Sequence, residues 1–465
     1  MHPSFFYAIS LLQTGTFFQS FLFLIENFSV NFLFVIESLY IFALNKRQNS
    51  MDKNLLRQVI YEQRERSEDL GVLRFMSPEL ISCPEVVVIT GVRRCGKSVL
   101  MQQILSKQEE RDYYLNFDDE RLITFKVDDF QKLNEVFMED FGVQKHYYLD
   151  EIQNIDGWER FVSRLYRQGC KVFVTGSNAK LLSREMGTYL TGRHVTKELY
   201  PFSFKEYLEY NNTKIDKSTF HTTTGKSLLI SLLNKYLKTG GFPQYIKQLN
   251  DNYLFSLYND IIYKDVVVRN NIYNDKQLKE MMYYLASNAT HRFTYNSVAK
   301  AINIKSADTI KAYIGFVEDT YMIRQLNKYD YSAGAQTRSP RKIYFVDNSF
   351  IHKIGFSATD NVGSSLENLV CVELMRRNKD IYYYEDNYEC DFIVRKGNVI
   401  TEAIQVTLSL ANEQTRKREM KGLVTAMKAF GLKEGLIITC EEHEDIEPEQ
   451  GILIHVRPLW KWLLD

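Results

Sequence analysis

The sequence predicts an α/β protein built on a doubly wound, mostly parallel sheet, with its ligand at the carboxyl edge of the strands. Three observations predict it. A greasy strand, "EVVVIT", runs straight into a glycine-bracketed loop over residues 91–98 and then into an apolar-periodic helix, "KSVLMQQILSKQ". A second apolar run, "KHYYLDEIQNIDGWERF", ends in the acidic pair Asp150-Glu151. Two further strand-like runs, "CKVFVTGSN" and "HVTKELYPFS", follow at the spacing of strands that alternate with helices.

The loop reads Gly91-Val92-Arg93-Arg94-Cys95-Gly96-Lys97-Ser98 and matches G-x-x-x-x-G-K-[ST] at every fixed position. Its glycines let backbone N–H groups curl around a β-phosphate. Lys97 then reaches the β/γ oxygens, and the Ser98 hydroxyl is a ligand for Mg²⁺. The helix that follows adds its dipole. A phosphate loop of this kind needs an acidic residue at the end of a neighbouring strand. Asp150 fills that role on the Mg²⁺ side, and Glu151 is placed to orient and deprotonate the attacking water. An acidic pair also caps helices; the loop upstream decides for the catalytic reading. The run "RDYYLNFDDERL" predicts an additional strand between the loop strand and the Asp-Glu strand, the layout of ATPases with a catalytic glutamate. The fourth strand ends in Thr175, Ser177 and Asn178, where such ATPases sense the γ-phosphate, and the fifth follows Arg193. ATP and Mg²⁺ are therefore the expected cofactors.

A chain of 465 residues is too long for one core and predicts about two to four domains. Its formal charge is zero, so no global field draws it to nucleic acid. Six scattered cysteines without a C-x-x-C pair point to free thiols and a reducing compartment, the cytoplasm. Residues 1–50 stand apart. Residues 5–25 carry no charge and are long enough to span a bilayer, and a second apolar run over 28–44 is interrupted by Glu37. Two readings stand: an extension from a mis-called start, with Met51 the true one, or a membrane tether leaving Lys46-Arg47 in the cytoplasm.

"TGVRRCGKS", "YLDEIQN", "VTGSNAKLL", "LTGRH", "ELYPFSFKEYL" and "GGFPQYI" occur in order. Together they resemble the prokaryotic AAA-type ATPases that carry a C-terminal domain of unknown function, DUF4143. The resemblance runs from about Met51 to near the C-terminus. It implies an ATP site formed by Lys97, Ser98, Asp150 and Glu151. It also implies that Arg193 is a phosphate-sensing or finger arginine; a surface or capping arginine is the alternative. Cys95 departs from the small residue more often seen in the loop, and its thiol is an expected point of oxidation or alkylation.

The ATPase part is expected over residues 51–210, followed by a helical lid over 211–285, broken at Gly240-Gly241 and Pro243. Residues 286–340 have the rhythm of a winged helix, with a turn near Asn303 and a second helix from about Ser306. That helix carries Lys311 but also Asp308, Glu318 and Asp319, so protein packing and DNA contact both remain open. The tail, 341–465, alternates strands and helices again and resembles restriction-endonuclease-like folds. Glu367, Asp391 and Gln405 fall where a divalent ion would be held, but Thr407 stands where a lysine is expected. The expectation is a nuclease fold without the chemistry. Three functions compete: an ATP-hydrolysing switch coupled to a protein partner or DNA, an ATP-gated nuclease, and a membrane-tethered signalling ATPase. Self-association is compatible with any of them.

Overall fold

The computed structural model describes residues 51–65, 70–178, 187, 189–356 and 362–465. The apolar extension over 1–50 and its membrane reading lie outside the described residues. Among the described residues no helix is long and apolar enough to cross a membrane.

The chain first builds a five-stranded parallel sheet from β1 (Val86–Thr90), β2 (Tyr114–Asn116), β3 (His146–Asp150), β4 (Lys171–Gly176) and β5 (His194–Glu198). Their spatial order is β2-β3-β4-β1-β5. This corrects one expectation. The strand inserted between the loop strand and the Asp-Glu strand is β4; β2, from "RDYYLNFDDERL", is the edge strand beyond β3. A strand bonded on both sides must offer an apolar run along its length. The six residues of β4 do so, whereas β2 is three residues long.

Helices α1 (Lys53–Glu65), α2 (Lys97–Leu105), α3 (Phe130–Phe141) and α4 (Trp158–Arg167) cover the sheet. Period-2 alternation sorts the strand residues between them. Val87, Ile89, Tyr148 and Phe173 join Leu100, Met101 and Ile104 of α2 on one face. Val86, Val88, Leu149, Val172 and Val174 join Leu56, Leu133 and Trp158 on the other.

After β5 the chain is helical: α5 (Thr223–Thr239), α6 (Asp251–Asp260), a π-helix over Ile261–Val268, and α7 (Asp275–Ser287). A winged helix follows, built from β6 (Arg292–Phe293), α8 (Tyr295–Ala301), α9 (Ala307–Glu318), β7 (Ile323–Asn327) and β8 (Arg341–Phe345). Thr294 caps α8 through its hydroxyl, and Asn303 makes the turn with φ 55°. The strands pair antiparallel in the order β6-β8-β7. The boundary expected at residue 341 is therefore corrected, because β8 belongs to the winged-helix sheet. Its two faces explain why it reads as part of the tail. Ile343 and Phe345 pack into the winged-helix core, while Tyr344 packs into the core of the C-terminal unit.

That unit starts with α10 (Asn348–Ile354), which packs back onto the lid helices, and α11 (Val362–Arg376). It continues as β9 (Asp380–Glu385), β10 (Glu389–Lys396), β11 (Val399–Val406), α12 (Glu413–Phe430), β12 (Glu434–Thr439), β13 (Glu444–Glu449) and β14 (Ile452–Pro458). The six strands form one mixed sheet, β13-β14-β12-β11-β10-β9. β11 and β12 are parallel, joined by α12 as a crossover. Phe392, Val394 and Ile404 face Leu366 and Leu369 of α11, and Cys390, Ile393 and Ala403 face Leu423 and Met427 of α12.

Candidate nucleotide site

β1 ends at the carboxyl edge of the sheet, and residues 91–96 wrap over it into α2. Gly91 has φ +139°, and a Cβ there would lie 2.1 Å from the Leu199 carbonyl oxygen. Gly96 has φ +103° just ahead of the helix. Both positions need glycine. Lys97 is buried, and its ammonium donates to the carbonyl oxygens of Gly91 at 3.2 Å and Val92 at 3.3 Å. The Glu151 carboxylate lies 3.6 Å from it. Cys95 is fully buried, and burial pushes its thiol up. The expected sensitivity to oxidation or alkylation is corrected accordingly, because a buried, protonated thiol is inert.

Asp150, at the end of β3, is fully buried. It accepts a hydrogen bond from the Thr175 hydroxyl, and the nearby Ser98 hydroxyl favours its ionised form. Asn116 Nδ2 at 3.1 Å and Tyr114 OH at 3.2 Å satisfy its Oδ2. Burial, with the neighbouring charge of Glu151, pushes its carboxyl up to about 6. Glu151 sits in the left-handed region at φ 51°, a strained conformation for glutamate. Its N–H donates to Thr175 Oγ1 at 2.8 Å. Burial pushes its carboxyl up, but Lys97, a hydrogen bond from Gln153 and the charge of Arg93 outweigh that and hold it below its ordinary value. Thr175 thus ties the two acids together. Beyond it, Ser177 and Asn178 are buried at the end of β4, and the Ser177 hydroxyl has no partner among the described residues.

These residues line or flank a cleft of about 690 Å³. Residues 93, 94 and 96–98, with Asn116, Asp118 and Glu151, form its polar end. Val72, Phe202, Tyr210 and Pro243 form an apolar end of the kind a nucleobase needs. Gln103 of α2 holds the segment carrying Val72 by donating to the carbonyl oxygens of Leu70 at 2.6 Å and Val72 at 2.8 Å. Tyr253 also lines the cleft, and its buried hydroxyl has no partner among the described residues. Sequence reasoning missed this apolar end; the nearest signal is the "GGFPQYI" break, which delivers Pro243. The donor set fits Mg·ATP: a glycine cradle, an ammonium, a Ser–Asp pair for the metal, and two buried hydroxyls with spare capacity.

Arg193 is not part of this cleft. It is exposed, precedes β5, and lies over the ring of Tyr166 at 5.9 Å. His194 pairs with Val86, so Arg193 sits at the amino edge of the sheet, six strand residues or roughly 20 Å from the loop. The reading of Arg193 as a phosphate sensor for its own site is corrected by that placement.

The tail residues also gather differently from expectation. Glu367 and Asp391 converge, with Glu389, on the ammonium of Lys342 from β8, at 2.9, 3.1 and 2.7 Å. Lys342 is 2% exposed, and the Tyr344 hydroxyl donates to the same Glu367 oxygen at 2.7 Å. Gln405 accepts from the Asp391 N–H at 3.2 Å and donates to Glu419 at 2.6 Å. The divalent-ion reading of Glu367, Asp391 and Gln405 is corrected: the cation in their midst is a lysine. Among the described residues no group of three or more His, Cys, Asp or Glu is placed to hold a metal. The lysine absent at Thr407 is supplied from another part of the chain, buried rather than presented to a substrate.

Family models match three consecutive stretches: an AAA domain over residues 84–208, a domain of unknown function (DUF8612) over 230–360, and a domain of unknown function (DUF4143) over 362–461. An uncharacterized protein of Methanocaldococcus jannaschii is 35% identical over 399 residues, covering 82% of this chain and 88% of that one. The chain belongs to the prokaryotic AAA-type proteins with a C-terminal DUF4143 domain. An uncharacterized protein of Haemophilus influenzae is 32% identical over 332 residues, covering 68% of this AAA-type chain and 80% of that one. Among solved structures, AMPPCP-bound DnaA from Aquifex aeolicus overlaps 52% of this chain and 84% of that one, at 16% identity and a TM-score of 0.22. Cdc6p from Pyrobaculum aerophilum overlaps 65% and 98%, at 10% identity and a TM-score of 0.24.

Proposed function

We propose that this AAA-type protein binds Mg·ATP and hydrolyses it slowly, and that its lid and C-terminal units pass the nucleotide state to a protein partner or to DNA. Lys97 neutralises the β/γ oxygens, and Ser98 with Asp150 holds Mg²⁺. The ion, when bound, screens charge on the phosphate oxygens. Glu151 positions and deprotonates the attacking water. Ser177 and Asn178, at the end of β4, sense the γ-phosphate. The observation that carries this reading is the Thr175-linked acid pair: Asp150 bonded to the Thr175 hydroxyl beside Ser98, and Glu151, held ionised, 3.6 Å from Lys97. Arg193, exposed at the far edge of the sheet, serves as a finger only by reaching the site of a second copy, so that role requires self-association. Free cysteines throughout the described residues support a cytoplasmic setting. The test is ATP turnover by the purified chain, with and without DNA. Lys97→Ala is expected to abolish ATP binding. Glu151→Gln is expected to bind ATP with unchanged affinity and lose turnover by about 10²-fold or more. Equal turnover in wild type and Glu151→Gln would remove Glu151 from the mechanism.

A further inference from the structure

We propose that Arg93 is the nucleotide-responsive side chain of the phosphate loop, and that Asp265 relays its position to the winged helix. The proposal rests on the Mg·ATP reading above and names how that site is read. A phosphate loop needs the backbone of residue 93, not its side chain. Here the side chain is nevertheless engaged: its Nε and Nη2 donate to Asp265 Oδ2 at 3.0 Å and Oδ1 at 3.2 Å. Arg93 also lines the nucleotide cleft, so its guanidinium has a carboxylate on one side and the phosphate site on the other. A planar guanidinium recognises carboxylate and phosphate through the same paired geometry, so the two compete for it.

Asp265 is 2% exposed, so its carboxylate would not tolerate losing Arg93 without another cation at hand. It has a second. Arg269, one turn further on, lies 3.4 Å from Asp265 Oδ1, and its Nη1 is buried without a partner among the described residues. The aspartate can therefore release Arg93 to a γ-phosphate and close on Arg269, whose guanidinium is already 3.4 Å away. Two discrete pairings of one carboxylate make the bistable element that coupling requires. Its position gives it a readout. Asp265 lies within the π-helix Ile261–Val268, a geometry that recurs at functional sites. That helix packs on α9, and its Ile261, Ile262 and Val266 share a core with Ile310, Ile314 and Val317 of α9.

The experiment uses the full chain, with ATP and ADP affinity from calorimetric titration and amide hydrogen exchange over residues 261–273 and 307–318. Wild type is expected to change exchange in both segments with ATP but not with ADP. Asp265→Asn frees Arg93 and is expected to tighten ATP by about fivefold or more, the low end for coupling between sites, leaving ADP unchanged. Arg269→Gln leaves Asp265 dependent on Arg93 and is expected to weaken ATP selectively. The opposite signs distinguish a relay from a structural pair, whose loss would weaken both ligands in both variants. Wild type that fails to bind ATP sinks the nucleotide reading itself. Wild type that binds ATP without an ATP-specific exchange change, or variants that shift ATP and ADP alike, overturns the relay alone.

Discussion

Asp150 is fully buried beside the cleft, and if it holds Mg²⁺ as proposed, its protonation limits ATP binding at low pH. Burial and the adjacent Glu151 raise its carboxyl to about 6, and metal binding needs the carboxylate. Mg-dependent ATP affinity is therefore expected to hold above about pH 7 and to fall as pH drops through 6, read by titrating Mg·ATP between pH 5 and 8. The Thr175 hydroxyl stabilises the ionised form. Thr175→Val should accordingly move the midpoint upward. Fold stability runs the other way: because the folded value lies above the unfolded one, this group favours the fold below about pH 4. That contribution is lost as pH rises through 6.

At the scale of elements, the turn between α5 and the short helix Pro243–Gln248 shows how glycine placement assembles the lid. Gly241 donates its N–H to Asp347 Oδ2 at 2.6 Å and accepts from the Phe202 N–H at 2.7 Å. A Cβ on Gly241 would meet the Phe202 carbonyl oxygen at 2.2 Å. Backbone cannot yield there as a flexible side chain would, so Gly241→Ala is expected to cost about 3 kcal/mol, seen as a lowered Tm. The same substitution has the opposite sign in α9. Gly315 is helical, with open space where a Cβ would be. Gly315→Ala should stabilise by about 0.5–1 kcal/mol, because alanine loses less backbone entropy on folding.

For the whole molecule, Lys342 joins the winged-helix sheet to the C-terminal sheet. It leaves β8 and meets carboxylates from α11 and β10, all within 3.1 Å. Removing one partner from a buried ionic cluster strands the others. Lys342→Met is therefore expected to cost about 3–5 kcal/mol in denaturant unfolding. Burial, then the charge of Glu367, pushes the Asp391 carboxyl up to about 7. Its preference for the fold is thus full below about pH 4 and lost as pH rises through 7. Without the ammonium the three acids repel unchecked once ionised, so the deficit of Lys342→Met should be larger at pH 8 than at pH 5.5.

Local chemistry was legible in the sequence because it is written in consecutive residues. The loop over 91–98 needs two glycines, a lysine and a serine at set spacing, and Asp150-Glu151 needs only to end an apolar strand. The strands β1, β3, β4 and β5 and the second helix of the winged helix follow from periodicity of the same local kind. What the tertiary structure decided were neighbours. β4 rather than β2 lies beside β1, because bonding on both sides requires an apolar run as long as the strand. Arg193, close in sequence to β4, lies at the opposite edge, because β5 runs parallel to β1 and so starts at the amino edge. β8 and its lysine serve two cores through two faces, so neither the 341 boundary nor the cation among Glu367, Glu389 and Asp391 is visible in order of residues. Side-chain identity states which chemistry is available, whereas the partner of a buried charge is chosen by whichever elements pack against it, often from more than a hundred residues away, as Arg93 and Asp265 are.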